Sequence, residues 1–250
     1  MQITGNTILI TGGGSGIGRG LAEAFHAQGN QVIIAGRRQA ALDAVTAANP
    51  GMIAFTVDMS DPASIAALAA QVLAAHPALN AVINNAGIMV DEDILKAPDY
   101  LATAEDTIAT NLLGPIRLTA ALLPHLLAQP RATVLTVSSG LAFVPKASTP
   151  TYSATKAAIH SYSQSLRHQL RNTNVDVLEI APPYVQTFLQ GAAQANDPNA
   201  MPLDEYLSET MALLSGTPEN GEVLVQRVHR QRFAEQNGSA AQVFGFINPA

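Results

Sequence analysis

Residues 7–18 read Thr-Ile-Leu-Ile-Thr-Gly-Gly-Gly-Ser-Gly-Ile-Gly, and the fold follows from the junction they contain. An apolar, β-branched run stops at a cluster of glycines, and a helical pattern over 17–28 begins directly behind it. Glycines let the backbone turn tightly and bring its N–H groups close to a ligand. The helix N-terminus that follows favours negative charge, so the segment has the build of a phosphate cradle. A glycine cluster by itself also marks an ordinary tight turn; its place between a strand and a helix separates the two.

Outward from this junction, short Val/Ile/Leu-rich runs alternate with Ala-rich stretches. The runs at 7–11, 31–35, 52–57, 81–84, 132–137 and 175–180 have the character of strands buried on both faces. Helices are predicted at about 17–28, 38–48, 62–75, 103–128 and 152–171. Thr103 is the predicted cap of the fourth, and Asp61, followed by Pro62, that of the third. Strands alternating with helices predict an α/β fold of Rossmann type, a doubly wound parallel sheet in the order 3-2-1-4-5-6 with helices on both faces. One domain over 1–250 is expected. Pro182-Pro183 breaks the pattern, 188–217 reads as an inserted, partly helical substrate loop, 218–236 as a helix and 243–247 as an apolar tail.

Composition narrows the function classes. The chain has 250 residues, 48% of them apolar, and a net charge of −6, so its field recruits neither nucleic acid nor an anionic membrane. It has no cysteine, which excludes disulfides, thiolate metal sites and cysteine nucleophiles. Its apolar runs are shorter than the ~20 residues of a membrane helix, and a cytoplasmic location is expected. The six histidines, at 26, 76, 125, 160, 168 and 229, show no metal-ligand spacing and read as solvated helix surface. Asp91-Glu92-Asp93 reads as a solvated loop, and Arg227, Arg230 and Arg232 as an exposed helical face.

The chemistry is carried by Tyr152 and Lys156, four residues apart and therefore on one helix face. An ammonium beside a phenol favours phenolate and suits the phenol to proton transfer. Ser139, thirteen residues earlier, follows the fifth strand at the carboxyl edge of the sheet, where ligands bind in doubly wound folds. Its hydroxyl could donate to a carbonyl oxygen on which charge develops.

With Thr11-Gly12-x-x-x-Gly16-x-Gly18, Asp58, Asn84-Asn85-Ala86-Gly87, Asn111, Ser139 and Tyr152-x-x-x-Lys156 in this order, the sequence resembles the classical short-chain dehydrogenases/reductases over about residues 7–187. Pro182-Pro183, where the common pattern has Pro-Gly, makes it similar to the DltE-like branch. The resemblance implies Tyr152 as acid/base, Lys156 lowering its pKa and holding the nicotinamide ribose, Ser139 on the substrate carbonyl, and Asn111 holding a water in a relay through Lys156. It implies cofactor contacts from Gly12, Gly14, Ser15, Gly16, Ile17, Gly18, Asp58, Met59, Asn85, Ala86, Gly87, Pro182, Val185 and Thr187. It also implies dimerisation through the fourth and fifth helices, as a homodimer or homotetramer. The surplus of apolar residues there, Leu112, Ile116, Leu122, Leu126, Ile159 and Leu166, agrees with that.

An NAD site places a carboxylate after the second strand. Here Gly36 stands in that position and Arg37 and Arg38 follow, a pair suited to a 2′-phosphate, so NADP(H) is expected over NAD(H). Leu141, Phe143, Tyr184 and Phe188 are the predicted substrate wall, favouring apolar or aromatic ketones and secondary alcohols. The expected activity is a carbonyl reductase or alcohol dehydrogenase; the alternative is a catalytically silent nucleotide-binding regulator.

Overall fold

The structure, a computed structural model, describes residues 1–249. Its sheet is built from β1 (Thr7–Thr11), β2 (Gln31–Gly36), β3 (Ile53–Thr56), β4 (Leu79–Asn84), β5 (Ala132–Val137), β6 (Val175–Ile180) and β7 (Glu222–Val223). The order is β3-β2-β1-β4-β5-β6-β7 and every pairing is parallel. Leu9 on β1 stands opposite Ile33 on one side and Val82 on the other.

Successive side chains of a strand leave opposite faces, and here both faces are covered. Ile8, Ile10 and Ile34 pack with Leu21 and Phe25 of α1 (Gly16–Ala27) and with Tyr206 and Leu214 of α8 (Leu203–Ser215). Leu9, Ile33 and Val82 pack on the opposite face against α3 (Pro62–Ala75) and α5 (Gly114–Ala128). The remaining helices are α2 (Gln39–Ala48), α4 (Leu101–Ile108), α6 (Pro150–Leu170), α7 (Ala192–Ala195), α9 (His229–Arg232) and α10 (Ala240–Ile247). Among the described residues no helix is long and apolar enough to cross a membrane.

The sheet has one strand more than the sequence pattern suggests. The stretch 218–236 is not one helix: Glu222 and Val223 pair with Glu179 and Ile180 of β6 before the chain turns into α9. Two residues carry no readable alternation, and the pairing comes from the waiting edge of β6. Residues 243–247 fall within α10, where Val243 packs with Val144 and Ala234. Residues 188–217 are more than a surface loop, because Leu207 of α8 packs onto Gly20 of α1.

Asp61 caps α3 as expected, accepting from the Ala63 amide at 2.9 Å. Thr103 does not cap its helix. That helix begins at Leu101, so Thr103 lies inside it, its carbonyl accepting from the Thr107 hydroxyl at 2.7 Å. The run then widens into a π turn, Ala109–Leu113, before continuing as α5.

The apolar surplus on the long helices is largely internal. Leu122, Leu126, Ile159 and Leu166 are buried within the protomer, which removes them as evidence for a second copy. Leu101 and Ile108 of α4, Leu113 of the π turn and Leu127 of α5 are exposed.

Candidate active site

Strand order reverses between β1 and β4, which opens a crevice at their carboxyl ends. Thr11 ties the two together: its hydroxyl accepts from the amides of Asn85 and Ala86, each at 3.1 Å, and its carbonyl accepts from Asn85 Nδ2 at 2.9 Å. Gly12 adopts φ +71°, and a Cβ there would come within 2.7 Å of Asn85 Nδ2. A Cβ on Gly18 would overlap the Gly12 carbonyl. The turn is therefore packed on one side by protein and open on the other to a ligand, a cradle that fits a dinucleotide pyrophosphate.

Two adjoining cavities, about 380 and 510 Å³, run from this cradle and share Gly12, Ser15, Arg37, Arg38, Ala86 and Gly87 in their walls. Gly14 and Met59 line the smaller. Gly16, Ile17, Gly18, Asn85, Pro182, Val185 and Thr187 line the larger, which also reaches Ser139, Tyr152 and Lys156. The structure thus brings the glycine turn and the predicted chemical residues into one cleft.

Arg37 and Arg38 stand at the end of the cleft past β2, and Arg38 donates to the Ser15 hydroxyl at 3.3 Å. Asp58 flanks the smaller cavity but does not line it. Its Oδ1 accepts from the Ser60 amide and hydroxyl at 2.9 and 2.8 Å, turning it into the loop. Those hydrogen bonds, with Arg37 nearby, hold its carboxyl below the usual range against the opposing effect of burial.

Tyr152 and Lys156 lie one turn apart on α6, both buried, with the ammonium 5.5 Å from the phenol ring centre. Burial pushes the Tyr152 phenol up to about 12, and the Ser139 hydroxyl works against that shift. Burial likewise pulls Lys156 down to about 8, opposed by the negative charge of Glu179. The Lys156 ammonium donates to the Val137 carbonyl at 2.8 Å. Ser139 is buried at the start of a 3-10 turn, its hydroxyl accepting from the Leu141 amide at 3.1 Å.

Asn111 sits in the π turn, buried, and does not line either cavity. Its side-chain oxygen accepts from the Ile88 amide and its Nδ2 donates to the Ile88 carbonyl, both at 2.8 Å. In this geometry the side chain braces the loop after β4.

Of the predicted substrate wall, only Phe188 lines the cleft. The turn begun by Ser139 carries Leu141 and Phe143 away from it. Phe143 packs edge-on against His160, ring centres 4.8 Å apart, beneath the Arg232 guanidinium. Tyr184 turns to Asp197, donating to its carboxylate at 3.1 Å. The apolar wall is instead Ile88, Met89, Val90, Phe188 and Leu189. The segment after β4 follows the carboxyl end of a strand beside the switch point, and that position was the available signal for it.

Three polar readings also change. His160 is not solvated surface, since its Nδ1 lies 2.9 Å from Glu179 Oε2. Arg232 pairs with the largely buried Glu222 at 2.6 and 3.0 Å, so it is not part of an exposed face. Glu92 is buried too, accepting from the Thr151 hydroxyl at 2.7 Å. A glutamate inside the apolar strand 175–180 was the one sequence signal of this cluster.

Comparison with known proteins bears on this site. The model of the short chain dehydrogenase family matches residues 6–198. Over 189 residues the chain is 46% identical to the uncharacterized oxidoreductase DltE of Bacillus subtilis (strain 168), covering 76% of this chain and 75% of that protein. It is 32% identical over 208 residues to the dehydrogenase/reductase SDR family member 7B of Mus musculus, covering 76% of this chain but only 61% of that longer protein. In structure it is similar to a short chain dehydrogenase from Burkholderia cenocepacia J2315 in complex with NADP, with a TM-score of 0.81, 25% identity and 98% of each chain covered.

Proposed function

The chain belongs to the short-chain dehydrogenase family, on its DltE-like branch, and from that premise we propose that it is an NADPH-dependent carbonyl reductase acting on apolar or aromatic ketones. The observation that carries the reading is the convergence of Ser139, Tyr152 and Lys156 on the cleft that also holds the glycine turn. The reduced nicotinamide, when bound, supplies the hydride. The chain's residues supply the proton and the electrostatics. The Ser139 hydroxyl donates to the substrate oxygen and stabilises charge as it develops there. Tyr152 gives its phenolic proton to that oxygen, and the Lys156 ammonium favours the phenolate left behind. In the oxidative direction the same phenolate accepts the proton of a secondary alcohol.

Gly12, Gly14, Ser15, Gly16, Ile17 and Gly18 would hold the pyrophosphate; Arg37 and Arg38 a 2′-phosphate; Met59, with Asp58 beside it, the adenine; and Asn85, Ala86, Gly87, Pro182, Val185 and Thr187 the nicotinamide half. The guanidinium pair supports NADP(H) over NAD(H), because a planar donor fork matches a phosphate and Gly36 leaves no carboxylate to repel it. Asn111 supports the site by fixing the loop at Ile88. The silent-regulator alternative is not favoured, since the proton-transfer residues are all present.

The test is NADPH and NADH oxidation measured with aliphatic and aryl ketones, diketones, aldehydes and sugars. Turnover of apolar ketones with NADPH is expected. Cofactor binding with no turnover across the panel would reject the reductase reading.

A further inference from the structure

Strand β6 reads Val175-Asp176-Val177-Leu178-Glu179-Ile180, and Glu179 is 1% exposed. A buried carboxylate costs several kcal/mol of lost hydration unless its surroundings replace the water. Ser138 donates to Oε1 at 2.5 Å, and His160 Nδ1 lies 3.0 and 2.9 Å from the two oxygens. The far nitrogen of His160 is 3.1 Å from the Gln164 amide nitrogen, which can only donate. An ionised carboxylate only accepts, so the contact at Nδ1 is an N–H donated to Glu179.

The charged groups around Glu179 come from three elements. Arg232 on α9 is held by Glu222 of β7. Arg167 on α6 donates to the carbonyls of Val177 and Gly221 at 2.8 and 3.3 Å. On the cleft side stands Lys156, also on α6, whose ammonium donates to the neutral Val137 carbonyl. Ser138 immediately precedes Ser139, and its own amide is fixed to the Ile180 carbonyl at 2.8 Å.

We propose that Glu179 is a positioning residue of the hydride-transfer site: through the Ser138 hydroxyl it holds the strand end from which Ser139 projects, and through His160 it sets its carboxylate one turn of α6 from Lys156. The proposal rests on the reductase reading for its chemistry. Burial works against the Lys156 charge and Glu179 works for it. Without the carboxylate the cation next to the phenol would be populated less at neutral pH.

The chain has only three lysines, Lys96, Lys146 and Lys156, so lysine labelled with 13C at Cε gives three NMR signals to follow against pH in the ligand-free protein. In Glu179→Gln the Lys156 midpoint is expected to fall by about half a pH unit or more. An unchanged midpoint in the folded variant overturns the electrostatic role. Ser138→Ala removes the tether and leaves the charge. Its Lys156 midpoint is expected to stay in place while kcat for NADPH-dependent reduction of 1-phenyl-1,2-propanedione drops at least about fivefold at unchanged KM for NADPH. Wild-type kcat in that variant overturns the positioning role.

Should circular dichroism show Glu179→Gln unfolded, Glu179→Asp replaces it, keeping the charge but drawing it one methylene back from Ser138. A held midpoint with the same kcat loss supports the proposal, and full kcat overturns it. A wild type that reduces no ketone rejects the reductase reading alone, because the lysine titration needs no substrate.

Discussion

Lys156 Nζ lies 5.5 Å from the centre of the Tyr152 ring, one turn away along α6, in a buried pocket where both groups are shifted toward their neutral forms. The Tyr152 phenol thus carries its proton at neutral pH, as a donor in ketone reduction must, although burial opposes the release of that proton. Its release is favoured by positive charge placed beside it.

Tyr152→Phe removes the proton donor and keeps the ring. Turnover is expected to fall by more than tenfold while NADPH binding, read by fluorescence titration, stays within about twofold. A variant keeping over a tenth of wild-type kcat, a barrier change under ~1.4 kcal/mol, contradicts the acid/base assignment.

The depressed Lys156 pKa makes a stability statement. Between about pH 8, its folded value, and the ordinary lysine value of 10.5, the unfolded chain binds the extra proton, so raising pH through this window stabilises the folded state. Tyr152 acts in the opposite sense only between the ordinary tyrosine value of 10.0 and about 12. Lys156→Met should therefore be more stable relative to wild type at pH 7 than at pH 10, the advantage shrinking by roughly 2 kcal/mol. Denaturant unfolding at both pH values measures it, and a constant difference would contradict the burial argument.

Arg37→Ala should weaken NADPH by about 1.5–3 kcal/mol, the loss of a charge-assisted pair, and leave NADH nearly unchanged. The measurement is kcat/KM for each cofactor in wild type and variant. Equal losses would remove Arg37 from phosphate recognition.

Phe188 is 73% exposed at the mouth of the cleft, placed to cover a bound apolar group. Phe188→Ala is expected to raise KM for aryl ketones about tenfold with little change in kcat, matching 1–2 kcal/mol of lost apolar contact. An unchanged KM across aryl ketones would place the substrate elsewhere along the wall.

With Ile108, Leu113 and Leu127 exposed along α4, the π turn and α5, a homodimer through these helices is expected. Light scattering at micromolar concentration should report at least twice the 26.1 kDa chain mass. A monomeric mass would contradict it.

By itself the sequence determined what depends on neighbours along the chain. A glycine cluster between a strand and a helix, alternating β-branched and Ala-rich runs, and a Tyr-Lys pair at helical spacing all encode local geometry, and each reappears in the structure. The strand pattern put Ser139 just past the fifth strand, where the structure has it two residues beyond β5, without indicating what holds it there. Tertiary structure alone decided the two-residue strand β7, the turning of Phe143 away from the cleft, and the burial of Leu122 and Leu126 inside the protomer. It also decided the meeting of Ser138 with Glu179 across 41 positions of sequence. These outcomes come from sheet register and helix docking, which place residues far apart in sequence side by side, whereas periodicity and motif spacing report only which way a side chain leaves its own element.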